Sequence, residues 1–181
     1  MDRTTIPSSS DFTIAGMLAI LERTPNVLHA LLSGLDEEWT HHNEGGDTWT
    51  PYDVVGHLVH GERTDWMARI RRCLSTHDKA FVKFDRTAMF IESSGKTLDD
   101  LLDEFAALRQ HNLLAFRALD ITDADLGSLG IHPTFGEVEL RQLLATWAAH
   151  DLGHLTQITR VMCKQYRTEV GPWKEFISVL R

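Results

Sequence analysis

The chain has 181 residues, 43% of them apolar and 24% charged, the balance of a globular protein with one core and one domain, expected to span residues 1–181. A net charge of -8 and a pI of about 5.6 leave no basic surface for a nucleic-acid backbone. Apolar runs of only four or five residues exclude a membrane span, and the polar stretch Met1 to Asp11 lacks the apolar core of a secretory signal.

Two cysteines, Cys73 and Cys163, stand apart with no paired spacing. A reducing compartment is expected, and with it a cytoplasmic location.

The first predicted helix runs from about Asp11 to Leu32, with Leu18, Leu21, Leu28 and Leu32 among its apolar positions. Thr24-Pro25 interrupts it, either as a kink or as a fresh start with Thr24 as N-cap and Pro25 at the first helical position. A turn-rich stretch from Asp36 to Trp49 follows, and Thr50-Pro51 with Asp53 in the first turn opens the second helix. Val54, Val55, Leu58, Val59, Trp66, Ile70 and Cys73 recur on that helix at helical spacing. The third helix starts near Thr97 and carries Leu101, Leu102, Phe105, Leu108 and Phe116. A loop holding Gly127, Gly130, Pro133 and Gly136 leads to the fourth, from about Leu140 to Tyr166, whose stripe includes Leu144, Trp147, Ile158 and Val161. Gly171-Pro172 stops further helix, and no strand pair is evident. Four long amphipathic helices with a middle connection long enough to cross over predict an all-α helix bundle.

Ten histidines are present, and their placement matters more than their number. His150 and His154 lie four residues apart, one above the other on the fourth helix, a spacing at which two imidazoles can chelate one ion. The run between them is Asp-Leu-Gly, so the glutamate of the HExxH zincins is absent. Such a pair also arises without any metal. His57 lies to one side of the second helix's apolar stripe, where periodicity neither demands nor excludes a ligand role.

The run Trp49 to Glu62, WTPYDVVGHLVHGE, resembles the second-helix motif of the DinB-like (YfiT-type) superfamily of metal-dependent proteins. The run His132 to Ile158, HPTFGEVELRQLLATWAAHDLGHLTQI, is similar to that family's loop and fourth helix, and Gly171-Pro172-Trp173 to its tail. The resemblance covers nearly the whole chain. It implies a four-helix bundle of up-up-down-down order and a metal held by His57, His150 and His154. The activities it implies include hydrolysis, isomerisation and thiol transfer with bacillithiol or mycothiol as cosubstrate. Three nitrogen ligands suit zinc or nickel and leave a coordination position open for a small-molecule substrate. Homodimerisation through exposed helix faces is compatible with a bundle, although the sequence does not show which face.

Four polar residues fall inside apolar stripes: Glu62, Arg109, Asn112 and Asp151. Buried charge is costly unless paired, so Arg109 is expected to pair with Glu62, Asp151 or both. Asp151 has two other readings, a carboxylate that orients a ligand imidazole or the general base of a reaction. Against the second stand its short side chain and inward position. His60 has the spacing for a fourth ligand, but its wheel position is exposed. His41, His42, His77 and His132 are read as solvated loop residues, Trp147 as core or pocket wall, and Gln157 as a surface residue or pocket lining.

Overall fold

The computed structural model describes residues 12–181; Met1 to Asp11, including the expected start of the first helix, lie outside the described residues. The first arm of the bundle is α1 (Ile14–Leu21) and α2 (Thr24–Leu32). A single turn, α3 (Glu37–Thr40), leads to the second arm, α4 (Pro51–Thr64) and α5 (Trp66–Leu74). A crossover over residues 75–97 contains the short α6 (Ala88–Glu92) and ends at α7 (Leu98–Arg117), the third arm. The fourth is α8 (Leu140–Gln165).

The expected cap at Thr50 forms, and a matching one stands at Thr97. Thr50 accepts the Asp53 amide while Asp53 accepts the Thr50 amide, and Thr97 and Asp100 do the same at the head of α7. Each such pair satisfies two of the amide donors that a helix start leaves free.

The two core clusters give the direction of every arm. At one end Leu21, Ile70, Phe116 and Leu144 pack together. At the other, Leu28, Val55, Leu101 and Ile158 do so. The first and fourth arms therefore run one way and the second and third the other, an up-down-down-up order that corrects the expected up-up-down-down. Only the connection between the second and third arms runs back along the bundle, and a single long crossover yields this order.

A second correction concerns strands. Two short ones, β1 (Leu129–His132) and β2 (Gly136–Glu139), form an antiparallel hairpin in which Gly130 faces Val138 and Ile131 faces Glu137. Gly136 has φ of +73°, which closes the turn. The hairpin sits tightly on the crossover, since a Cβ at Gly130 would lie 2.4 Å from the Phe81 ring. Phe81 donates to the Ile131 carbonyl and Ile131 to that of Lys79, each at 2.8 Å.

The first two arms are broken, and α7 repairs both breaks. Thr24 is the first residue of α2 rather than its cap, and its hydroxyl bonds the Ile20 carbonyl at 3.1 Å. Pro25 has no amide to give the Leu21 carbonyl, which instead accepts from Arg109 Nη1 at 2.9 Å. The second arm, expected unbroken, divides at Asp65, and near that division Asn112 donates to the Glu62 carbonyl at 2.7 Å.

Arg109 also bridges both expected carboxylates. Its Nη2 lies 2.9 Å from Glu62 Oε1, and its Nη1 lies 2.6 Å from Asp151 Oδ2. Trp147 Nε1 and Asn112 Nδ2 donate to Glu62 at 3.0 Å each, and the guanidinium lies over the Trp147 and Phe105 rings. Arg109 is 1% exposed and Asp151 0%. Substituting Arg109→Met would leave two buried carboxylates without a cation, with an expected loss of about 3–5 kcal/mol in urea unfolding. A loss below about 1 kcal/mol would mean that the carboxylates are relieved some other way.

Candidate metal centre

Helix α4 carries His57 and α8 carries His150 and His154 one turn apart, and the up-down-down-up order sets these helices side by side. The Nε2 atoms of His57 and His150 lie 3.1 Å apart, as do those of His150 and His154. One ligand nitrogen from each residue falls within 4.8 Å of the others. Zinc–nitrogen bonds of 2.0–2.1 Å in tetrahedral geometry would place ligand nitrogens about 3.3 Å apart. The spacing therefore suits one small cation.

The electrostatics point the same way. Burial pushes His57 and His150 down to about 3, with His154 and Arg86 adding repulsion, and burial also lowers His154. All three rings are neutral near pH 7. His154 Nδ1 donates to Gln157 Oε1 at 2.9 Å, which leaves its Nε2 lone pair facing inward. The Nδ1 atoms of His57 and His150 are buried without a protein partner. Nitrogen lone pairs aimed at one another repel unless a proton or cation lies between them, so this donor set fits a metal ion.

Aromatic rings fix the imidazoles. Trp49 lies 4.9 Å from His57, Phe84 meets His57 edge-on at 5.4 Å, and Trp66 meets His150 edge-on at 5.1 Å between ring centres. The histidines line a cavity of about 530 Å³ bounded by α4, α5, α8, the crossover and the hairpin. Its size is that of a small-molecule site.

Asp151 does not join this cavity wall. Its two oxygens accept from Arg109, so the carboxylate offered as general base serves the bundle core instead. His60 is 5% exposed rather than solvated, because α6 and Phe84 cover it; its Nδ1 meets the Glu92 carboxylate at 3.1 Å. It is not part of the three-histidine group. His132 stands in β1 and borders the cavity, its Nδ1 accepting the amides of Thr134 and Phe135. Trp147 is core, stacked on Trp66 at 5.7 Å.

Sequence reasoning missed Asp65, Arg69, Lys83 and Arg86, which also line the cavity. Asp65 lies 2.6 Å from Arg69 Nε, yet burial outweighs that cation and pushes its carboxyl up to about 6. An Asp-x-x-x-Arg spacing on a helix was the available signal for that pair. Lys83 and Arg86 lie in the crossover, which has no periodicity to betray its orientation.

No curated protein matches the chain. Among solved structures, YfiT from Bacillus subtilis, described as a probable metal-dependent hydrolase with an unusual four-helix bundle topology, is similar at a TM-score of 0.68 and 20% identity, over 87% of this chain and 91% of that one. The model of the DinB superfamily matches residues 20–158. That span includes α2, α4, α5 and α7 whole, α8 as far as Ile158 and the three histidines, and the chain belongs to the DinB superfamily.

Proposed function

We propose that His57, His150 and His154 hold one divalent ion, zinc or nickel, and that the protein is a metal-dependent enzyme acting on a small molecule as a hydrolase or a thiol S-transferase. The observation that carries this reading is the convergence of three neutral imidazoles in the wall of a cavity large enough for a substrate. An ion bound there would supply Lewis acidity, which makes a water or thiol ligand acidic enough to act as a nucleophile near neutral pH. The description of YfiT as a probable metal-dependent hydrolase supports the hydrolytic form.

The chain's own groups would do the rest. Gln157 would hold the His154 ring in one orientation, and the Trp49 and Phe84 rings would keep His57 from turning away. Asp65, with its carboxyl pushed up to about 6, is a cavity group able to take or give a proton near physiological pH. A non-catalytic metal-binding bundle is the contrasting reading; it would not turn over esters or thiol-reactive electrophiles.

Metal analysis by mass spectrometry of tag-free protein should find about one ion per chain. His57→Ala, His150→Ala and His154→Ala should each lose it while keeping the helical circular-dichroism spectrum. Metal-free wild type that also fails to take up zinc or nickel would refute the site. Gln157→Leu should retain the ion but weaken its affinity about 10-fold in a competition titration with a chromogenic chelator.

A pH dependence follows from burial. Between pH about 6.5 and about 3 the unfolded chain binds protons that His57 and His150 refuse in the fold. Their contribution to the stability of metal-free protein is therefore complete above pH about 6.5 and is lost as the pH falls through that window. Urea midpoints measured across the window should fall towards acid, and the double variant His57→Gln, His150→Gln should give a flatter profile.

A further inference from the structure

The cavity over the histidines has a charge opposite to that of the molecule around it. The chain carries a net charge of -8, yet Arg69, Lys83 and Arg86 line this cavity, with Asp65 the one carboxylate among them. Asp65 offsets Arg69, its partner at 2.6 Å. Among the described residues the ion pairs engage other cations and leave Lys83 and Arg86 without a carboxylate. Arg86 is exposed at the mouth of the cavity that it lines, and its field reaches His57, His150 and His154 alike.

Around these cations the wall is aromatic: Trp49, Trp66, Phe81, Phe84 and Phe135 all contribute. Flat rings at this density accommodate a flat apolar body, and an unpaired guanidinium offers a planar fork that fits a carboxylate. Asp65 in the same space disfavours a phosphate dianion more than a singly charged carboxylate.

We propose that the cavity binds an organic carboxylate with a flat apolar body, its carboxylate held by Arg86 with Lys83 beside it and its body against the aromatic wall, so that the rest of the molecule reaches the three histidines. This assignment rests on reading the cavity as the substrate site. It gives Arg86 and Lys83 a role in choosing the substrate, separate from that of the metal ligands.

The test uses full-length protein stripped of metal, so that no probe can bind through an ion. 2-Naphthoate, its neutral analogue 2-naphthamide and 2-naphthyl phosphate are titrated while the fluorescence of Trp49 and Trp66 is followed, with calorimetry as a second readout. The naphthoate should bind about tenfold or more tightly than the amide. Arg86→Gln should remove most of that preference and leave amide binding unchanged, Lys83→Gln should reduce it less, and Arg86→Lys should restore part of it. Equal binding of naphthoate and amide, an unchanged preference in Arg86→Gln, or no binding of naphthoate up to about 10 mM would overturn the proposal. Binding of the phosphate in place of the carboxylate would overturn the carboxylate assignment. The preference should persist in His150→Ala, which holds no ion. A failure of the metal reading would thus appear in the metal analysis, and a failure of this one in the naphthoate titration.

Discussion

A guanidinium taken out of water must recover its hydration from fixed partners, and Arg109 recovers it from every arm of the bundle. It projects from α7, bonds the Leu21 carbonyl of the first arm, and pairs with Glu62 of the second and Asp151 of the fourth. Interactions of this kind are strict in geometry, because a partner displaced by an ångström leaves a charge buried and unsatisfied. The axial register of α4 against α8 follows from them. Asp151 adjoins His150 in sequence, and Glu62 lies little more than a helical turn beyond His57. The contact that fixes Glu62 and Asp151 against one side chain therefore fixes His57 against His150. Within this cluster the field of Asp151 favours positive charge at His154, while that of Arg109 opposes it at His150.

The breaks in the first two arms belong to the same arrangement. A proline in mid-arm frees a carbonyl, which would be a liability in a dry core. Here that carbonyl becomes an acceptor for Arg109, and the division at Asp65 has its counterpart in the bond from Asn112 to Glu62. At and just beyond the same division Asp65 and Arg69 line the cavity. Irregular backbone is thus used twice, once to seat the buried cation and once to line the site.

What could be read from the sequence was whatever repeats with the period of a helix or caps one. The capped start at Thr50, the helix start near Thr97, the buried Arg109 with its two carboxylates, and the one-turn spacing of His150 and His154 are all local patterns. His57 was ambiguous on periodicity alone and entered through resemblance to a family. The burial of His60 was hidden because Glu92 and Phe84, which cover it, lie in a crossover with no pattern to locate them. The hairpin was hidden by its four-residue strands, and by the parallel bridge to Ala80 that no turn signal announces. The order of the arms depends on which ends pack together, and amphipathicity on each helix is silent about that.

The three imidazoles come from two arms that are 93 residues apart in sequence between His57 and His150. An ion shared between them would be a reversible cross-link closing a long loop, of the sort whose removal frees much chain entropy. Ligand bound only by the native state adds RT ln(1 + [L]/Kd), about 4 kcal/mol when free ion exceeds its dissociation constant about a thousandfold. The thermal endurance of the bundle would then report how much free metal its surroundings contain. Metal starvation would soften the clasp between α4 and α8 at the same moment that it emptied the site.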